Sequence, residues 1–151
     1  MTTGISRRSL ILSAAACAVA LAASPIAALA KDASVTVMDP REAHDKAKAG
    51  GILLIDVRTP GEWKQTGVPE GAHAIELAPT FLDKLNKLTG GDKSKPVAFI
   101  CATGSRSNYV AKELAKRGWT HVIDVAGGVF GGPKGKGWKA ENLPLTPYKG
   151  Q

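Results

Sequence analysis

Two apolar runs that lack polar alternation constrain the fold of this chain more than any other feature. Residues 52–57 read Ile-Leu-Leu-Ile-Asp-Val, and residues 96–100 read Pro-Val-Ala-Phe-Ile. A strand covered on both faces has this pattern, because neither face meets water. Stretches with helix-start signals or helical spacing separate the apolar runs along the chain. Strands alternating with helices predict an α/β domain with a central, mostly parallel sheet and helices on both faces.

Acceptor side chains followed by proline mark two helix starts. Asp39 and Thr59 each precede a proline and lie three residues before a glutamate, as N-cap residues do. Farther along, apolar residues recur at helical spacing, and Gly118 ends the last such stretch. We therefore predict strands at residues 35–37, 52–57, 72–77, 97–100 and 122–125, helices at residues 40–50, 60–63, 80–88 and 108–118, and glycine-rich turns at residues 67–71 and 127–137.

The N-terminal residues have the features of an export signal. Arg7 and Arg8 are adjacent, an Ala/Leu-rich stretch follows, and residues 28–30 read Ala-Leu-Ala. We therefore predict a twin-arginine signal peptide over residues 1–30, a single domain over residues 31–151 and a periplasmic location. No stable membrane span is expected once the signal is removed. An uncleaved anchor is the alternative, because the apolar stretch is long enough to span a bilayer.

Composition and charge narrow the class of partner. The formal net charge of +7 favours small anionic substrates in a general way. The lysines are dispersed and aromatic residues make up 5% of the chain, which argues against nucleic acid. We expect no metal and no cofactor, because no metal-ligand or catalytic-triad spacing links the three histidines, His44, His73 and His121.

Cys101 is the candidate nucleophile. It follows the second apolar run and opens residues 101–107, Cys-Ala-Thr-Gly-Ser-Arg-Ser, after which a helix is predicted. Backbone N–H groups of such a loop and the positive end of the helix both stabilise a thiolate. The other cysteine, Cys17, lies in the predicted signal, so Cys101 is the only thiol of the predicted mature chain. An unpaired thiol in an oxidising periplasm is buried or used, and a buried structural cysteine is the alternative.

Four segments, in this order, resemble the signatures of rhodanese-like sulfurtransferases. They are residues 54–63, 67–72, 101–106 and 125–129, and the resemblance extends over about residues 35–143. It implies that Cys101 attacks the outer sulfur of a donor such as thiosulfate and becomes a persulfide. A thiol or cyanide would then take the sulfur, by double displacement.

The resemblance also implies roles for the residues around Cys101. The planar fork of Arg106 suits an anionic donor, although a salt bridge to Asp56 or Glu62 is equally consistent with the sequence. Gly104 lets the backbone approach the sulfur, and the backbone of the loop would stabilise the persulfide. The candidate substrate-binding residues are Ala102, Thr103, Gly104, Ser105 and Arg106. The supporting residues are Asp56, Arg58 and Glu62. We expect Arg58 and Glu62 to form a structural pair beneath the site.

Two other functions compete with this one. Phosphatases of similar fold carry a seven-residue Cys-to-Arg ring, whereas the ring from Cys101 to Arg106 has six residues and suits a single sulfur better. A sulfur carrier or partner-binding module would keep the same loop without turnover. A protein sulfur acceptor is also compatible, because the Gly/Lys segment at residues 131–139 leaves the shape of the rim open.

Overall fold

The computed structural model describes Met1 and residues 34–150. Apart from Met1, the predicted signal peptide lies outside these residues and stays a prediction. The strands are β1 Thr36–Met38, β2 Leu53–Asp56, β3 Val68–Pro69, β4 Ala72–Ala74, β5 Val97–Ile100, β6 Val122–Val125 and β7 Leu145–Thr146. The helices are α1 Pro40–Lys48, α2 Pro60–Thr66, α3 Phe81–Thr89 and α4 Ser105–Lys116.

Five of the strands form one sheet, in the order β1-β6-β5-β2-β4. Each pair of neighbours in this sheet is parallel, so the predicted α/β fold is confirmed. β5 lies at the centre of the sheet, between β6 and β2. The C-terminal ends of these two strands lie on either side of the position at which Cys101 follows β5. β3 and β7 form a separate antiparallel pair, which the sequence analysis did not predict.

Helices cover both faces of the sheet. α3 and α4 pack on one face, where the core includes Phe99 and Leu114. α1 packs on the other face together with the segment after β6, which contributes Val129, Trp138 and Leu143 to the core. Trp138 is fully buried and its Nε1–H donates to the Pro144 carbonyl at 2.9 Å. Trp138 therefore packs the end of the glycine-rich segment onto the sheet.

Two helix boundaries differ from the prediction in ways that matter for function. α4 begins at Ser105, three residues earlier than predicted, because Gly104 at its N-cap has a φ of 98° and turns the chain directly into the helix. Residues that read as loop by composition thus form the first turn. α2 extends to Thr66, and Thr59 and Glu62 form the predicted capping box at its start.

No helix among the described residues combines the length and the apolar character needed to cross a bilayer.

Candidate active site

Cys101 lies directly after β5 at the carboxyl edge of the sheet, with 1% of its surface exposed. The Gly104 N–H donates to its Sγ at 3.2 Å. A left-handed φ of 98° gives this N–H its direction, and glycine is the residue that adopts such a conformation without strain. The loop therefore already places one backbone donor on the sulfur.

The N-terminus of α4 lies next to the sulfur. Gly104 provides no side chain to cap the helix, so the first N–H groups of α4 keep their capacity to bind an anion. The positive end of the helix dipole adds to this effect. Thr103 and Ser105 are exposed on either side of Gly104, and their hydroxyls make no hydrogen bond with another described residue. Ala102 is half-buried. The candidate binding residues 102–105 thus surround the cysteine.

A bidentate ion pair joins α4 to α2. Arg106 donates from Nη1 to Glu62 Oε2 at 2.8 Å and from Nη2 to Glu62 Oε1 at 2.6 Å. The Thr59 N–H also donates to Glu62 Oε2, at 2.9 Å. The hydrogen bonds from Arg106 are the main cause that lowers the pKa of Glu62 to about 2. The sequence left two roles open for Arg106, binding an anionic donor and forming a salt bridge. The structure shows the salt bridge, and its partner is Glu62.

Arg106 also lies within electrostatic reach of the cysteine. Its pKa is raised, first by the hydrogen bonds to Glu62 and further by the negative charges of Glu62, of the Cys101 thiolate and of Asp56. Glu62 therefore holds a guanidinium that interacts electrostatically with Cys101.

The predicted pairing of Arg58 with Glu62 is wrong. Arg58 and Asp56 are both fully buried, and Arg58 Nη2 donates to Asp56 Oδ2 at 2.7 Å. Nε also donates to Asp56, Nη1 donates to the Thr66 hydroxyl, and Nη2 donates to the Gly67 carbonyl as well, the last two bonds both at 2.8 Å. The partners of the Glu62 carboxylate are instead Thr59, in the capping box, and Arg106. The buried pair of Asp56 and Arg58 ties the end of β2 to the end of α2 beneath the site.

Sequence reasoning missed a polar network behind the sulfur. Ser107 Oγ lies 3.5 Å from Cys101 Sγ and 2.7 Å from Asp124 Oδ1, which accepts a hydrogen bond from it. Lys134 Nζ and Asn108 Nδ2 donate to Asp124 Oδ2 at 3.0 Å and 3.2 Å. One signal was available in the sequence, because Asp124 is the only polar residue within its buried strand.

The glycine-rich segment, residues 127–137, lies against the cysteine loop. The Val129 N–H donates to the Cys101 carbonyl at 2.8 Å and the Phe130 N–H to the Ala102 carbonyl at 2.9 Å. A Cβ at Gly128 would lie 2.5 Å from the Cys101 carbonyl oxygen, so only glycine fits there. The sequence assigned no role to the glycine-rich segment. The structure shows that it forms one wall of the site.

The described residues contain no group of three or more His, Cys, Asp and Glu side chains placed to bind a metal ion.

Comparison with known proteins agrees with this geometry. A family model described as "Rhodanese-like domain" matches residues 39–132. The uncharacterized protein RP600 of Rickettsia prowazekii is 32% identical over 99 residues, 61% of this chain and 80% of that protein. A protein of Allochromatium vinosum named sulfurtransferase is 26% identical over 100 residues, 66% of this chain and 82% of that protein. The solution structure of the polysulfide-sulfur transferase homodimer from Wolinella succinogenes has a TM-score of 0.58 and 28% identity, and the match covers 78% of this chain and 82% of that one.

The charge on Glu62 should stabilise the fold in a pH-dependent way. Its pKa falls from 4.5 to about 2 on folding, so this stabilisation is complete above about pH 5 and is lost as the pH falls towards 2. Glu62→Gln keeps an acceptor for the Thr59 N–H but removes the charge. Because the pair is partly exposed, we expect a loss of about 1 kcal/mol in the free energy of unfolding at neutral pH.

Urea denaturation at a series of pH values measures this effect. The difference between wild type and Glu62→Gln should shrink as the pH falls below about 4.5. Glu113→Gln is the matched control, since Glu113 pairs with Lys116 on the surface of α4 and its replacement should change stability much less. A difference between wild type and Glu62→Gln that does not vary with pH would contradict the assignment to charge.

Proposed function

Because the chain belongs to the rhodanese-like family, we propose that it transfers sulfane sulfur from a small anionic donor such as thiosulfate to a thiol or cyanide, through a persulfide on Cys101. One observation carries the proposal: the Gly104 N–H donates to Cys101 Sγ in a loop that leads directly into the N-terminus of α4. One relative and one structural neighbour that are named for sulfur transfer support the same reaction class.

In the first half-reaction the Cys101 thiolate attacks the outer sulfur of the donor. The sulfur–sulfur bond of thiosulfate breaks, sulfite leaves with the bonding electron pair, and the outer sulfur becomes bonded to Sγ. The negative charge then resides on the new terminal sulfur, about 2 Å beyond Sγ. The uncapped N–H groups at the start of α4 are suited to stabilise it, as an oxyanion hole stabilises oxygen.

Arg106 is the proposed donor-binding cation. Glu62 uses one N–H from each terminal nitrogen, and a guanidinium has five N–H donors in all, so others remain for the oxygens of an anionic donor. The exposed hydroxyls of Thr103 and Ser105 add donors at the mouth of the loop.

In the second half-reaction the terminal sulfur is attacked by cyanide or by an acceptor thiolate, whose thiol proton has gone to solvent. The bond to Sγ breaks, the Cys101 thiolate is regenerated with the electron pair, and the acceptor leaves as thiocyanate or as a persulfide. No general base is needed for the cyanide reaction, because thiolate and cyanide are both anions. A protein thiol is an equally suitable acceptor chemically.

Export to the periplasm belongs to the same proposal. It is supported by the adjacent Arg7 and Arg8, by the Ala/Leu-rich stretch after them and by the small residues at positions 28 and 30.

Thiosulfate should load one sulfur atom onto Cys101. Intact mass spectrometry of the purified protein should then show one added sulfur, about 32 Da, and cyanide should remove it with release of thiocyanate. Cys101→Ser should show neither effect. Thiocyanate release should continue over many turnovers.

Two outcomes would overturn this proposal. Stoichiometric loading without turnover would indicate a sulfur carrier. Phosphate release from an aryl phosphate, without thiocyanate formation, would indicate a phosphatase.

Loss of the Arg106 guanidinium should weaken donor binding more than it slows the chemical step. A charge-assisted hydrogen bond is worth about 2 kcal/mol, so Arg106→Gln should raise the KM for thiosulfate about tenfold or more. Steady-state thiocyanate formation measures this. Glu62→Gln is the matched control, because it breaks the same ion pair and keeps the guanidinium. An equal rise in KM for both variants would mean that Arg106 only anchors the loop.

The predicted signal should be removed on export. In a bacterium with twin-arginine transport, the protein should appear in the periplasmic fraction with the mass of a chain that begins at Lys31. Replacement of both Arg7 and Arg8 by Lys should keep it in the cytoplasm. Recovery of the full-length chain from the membrane fraction would instead indicate an anchor.

A further inference from the structure

A buried carboxylate lies beneath the candidate nucleophile, and no step of the proposed reaction uses it. Asp124 is fully buried, and its register partner in the sheet, Phe99, lies two residues before Cys101. Asp124 Oδ1 accepts a hydrogen bond from Ser107 Oγ at 2.7 Å, and Ser107 Oγ is 3.5 Å from Cys101 Sγ. A single hydroxyl group therefore separates this carboxylate from the sulfur.

The Ser107 hydroxyl has one hydrogen and three polar neighbours within hydrogen-bond distance. They are Asp124 Oδ1 at 2.7 Å, the Gly104 carbonyl at 3.2 Å and Cys101 Sγ at 3.5 Å. A hydrogen bond to an ionised carboxylate is the strongest of the three, so Ser107 donates to Asp124. The sulfur then faces an oxygen lone pair, which suits a neutral thiol that donates its hydrogen. On its own, an ionised Asp124 thus opposes the thiolate, both by its charge and through Ser107.

Lys134 offsets that charge. Its Nζ lies 3.0 Å from Asp124 Oδ2, and it is the only cation that pairs with Asp124 among the described residues. It comes from the glycine-rich segment and is 41% exposed, whereas Asp124 is fully buried. The other cation at the sulfur, Arg106, is already paired with Glu62. The balance of charge behind the sulfur therefore depends on Lys134.

We propose that Lys134 is a positioning residue of Cys101, which favours the thiolate by neutralising Asp124. It acts through Asp124 and Ser107, without contact to the reacting atoms. An opposite charge beside a carboxylate reduces the repulsion that the carboxylate exerts on a nearby anion. The inference rests on the proposed function only in taking Cys101 as the nucleophile. The glycine-rich segment thus sets the reactivity of the cysteine as well as the shape of the site.

The rate at which iodoacetamide alkylates Cys101 at neutral pH tests this. Iodoacetamide is uncharged, so its rate reports the thiolate and not the binding of an anion. Mass spectrometry of the peptide that contains Cys101 separates this reaction from any other thiol. Lys134→Gln should slow alkylation about threefold, because the uncompensated charge of Asp124 disfavours the thiolate and the greater nucleophilicity of a more basic thiolate offsets only part of that loss.

Replacement of the carboxylate should have the opposite effect. Asp124→Asn keeps the shape of the side chain but removes its charge and leaves that of Lys134, so alkylation should be faster than in wild type. The double variant with Lys134→Gln should return close to the wild-type rate. Opposite signs for two partners in one ion pair would not follow from a purely structural role.

Lys136→Gln is the matched control. Lys136 lies two residues farther along the same segment, is exposed and forms no ion pair in the described part of the chain, so its replacement should leave the rate unchanged. A wild-type rate for Lys134→Gln, or equal slowing by Lys134→Gln and Asp124→Asn, would overturn the inference. The test needs no sulfur donor. The predicted pattern of rates without thiocyanate formation would therefore refute the proposed function alone.

Discussion

The parallel pairing of β5 with β2 on one side and β6 on the other decides where the reactive groups of this protein lie. In this register Asp56 pairs with Ile100 and Asp124 with Phe99. Because parallel strands end at the same edge of a sheet, a buried carboxylate from each neighbouring strand lies opposite one of the two residues that precede Cys101. α2 and α4 begin at this edge too. The cysteine is therefore held where a helix N-terminus and paired charges act on it together.

Each carboxylate near the cysteine has its own cation, and the pairs differ in what they do. The buried pair of Asp56 and Arg58 anchors the end of α2. Glu62 holds Arg106 in place at the mouth of the loop. A buried charge without a partner is costly, so burial itself demands a cation for Asp56 and for Asp124, whereas the pair of Glu62 and Arg106 is partly exposed. Together these ion pairs place charges at fixed positions around the thiol of Cys101.

The central strands and the reactive loop were predictable because they depend on short-range patterns. The strands at residues 97–100 and 122–125 match the prediction, since a short, mainly apolar run without polar alternation is typical of a strand buried on both faces. The start of α4 was placed too late, because a left-handed Gly104 is read as loop by composition. The pairing of Arg58 was wrong, because side-chain partners depend on the direction in which α2 leaves β2. β3 and β7 were missed because two-residue strands carry no periodicity.

The sequence by itself determined the order of strands and helices, the loop that opens at Cys101 and the resemblance to a family. Those features are encoded by neighbouring residues, through burial, capping and the conformational freedom of glycine. Only the tertiary structure decided that Lys134 reaches Asp124 behind the sulfur and that the glycine-rich segment lies on the cysteine loop. Such contacts follow from the path of the chain after β6, where glycines permit many conformations and packing selects one.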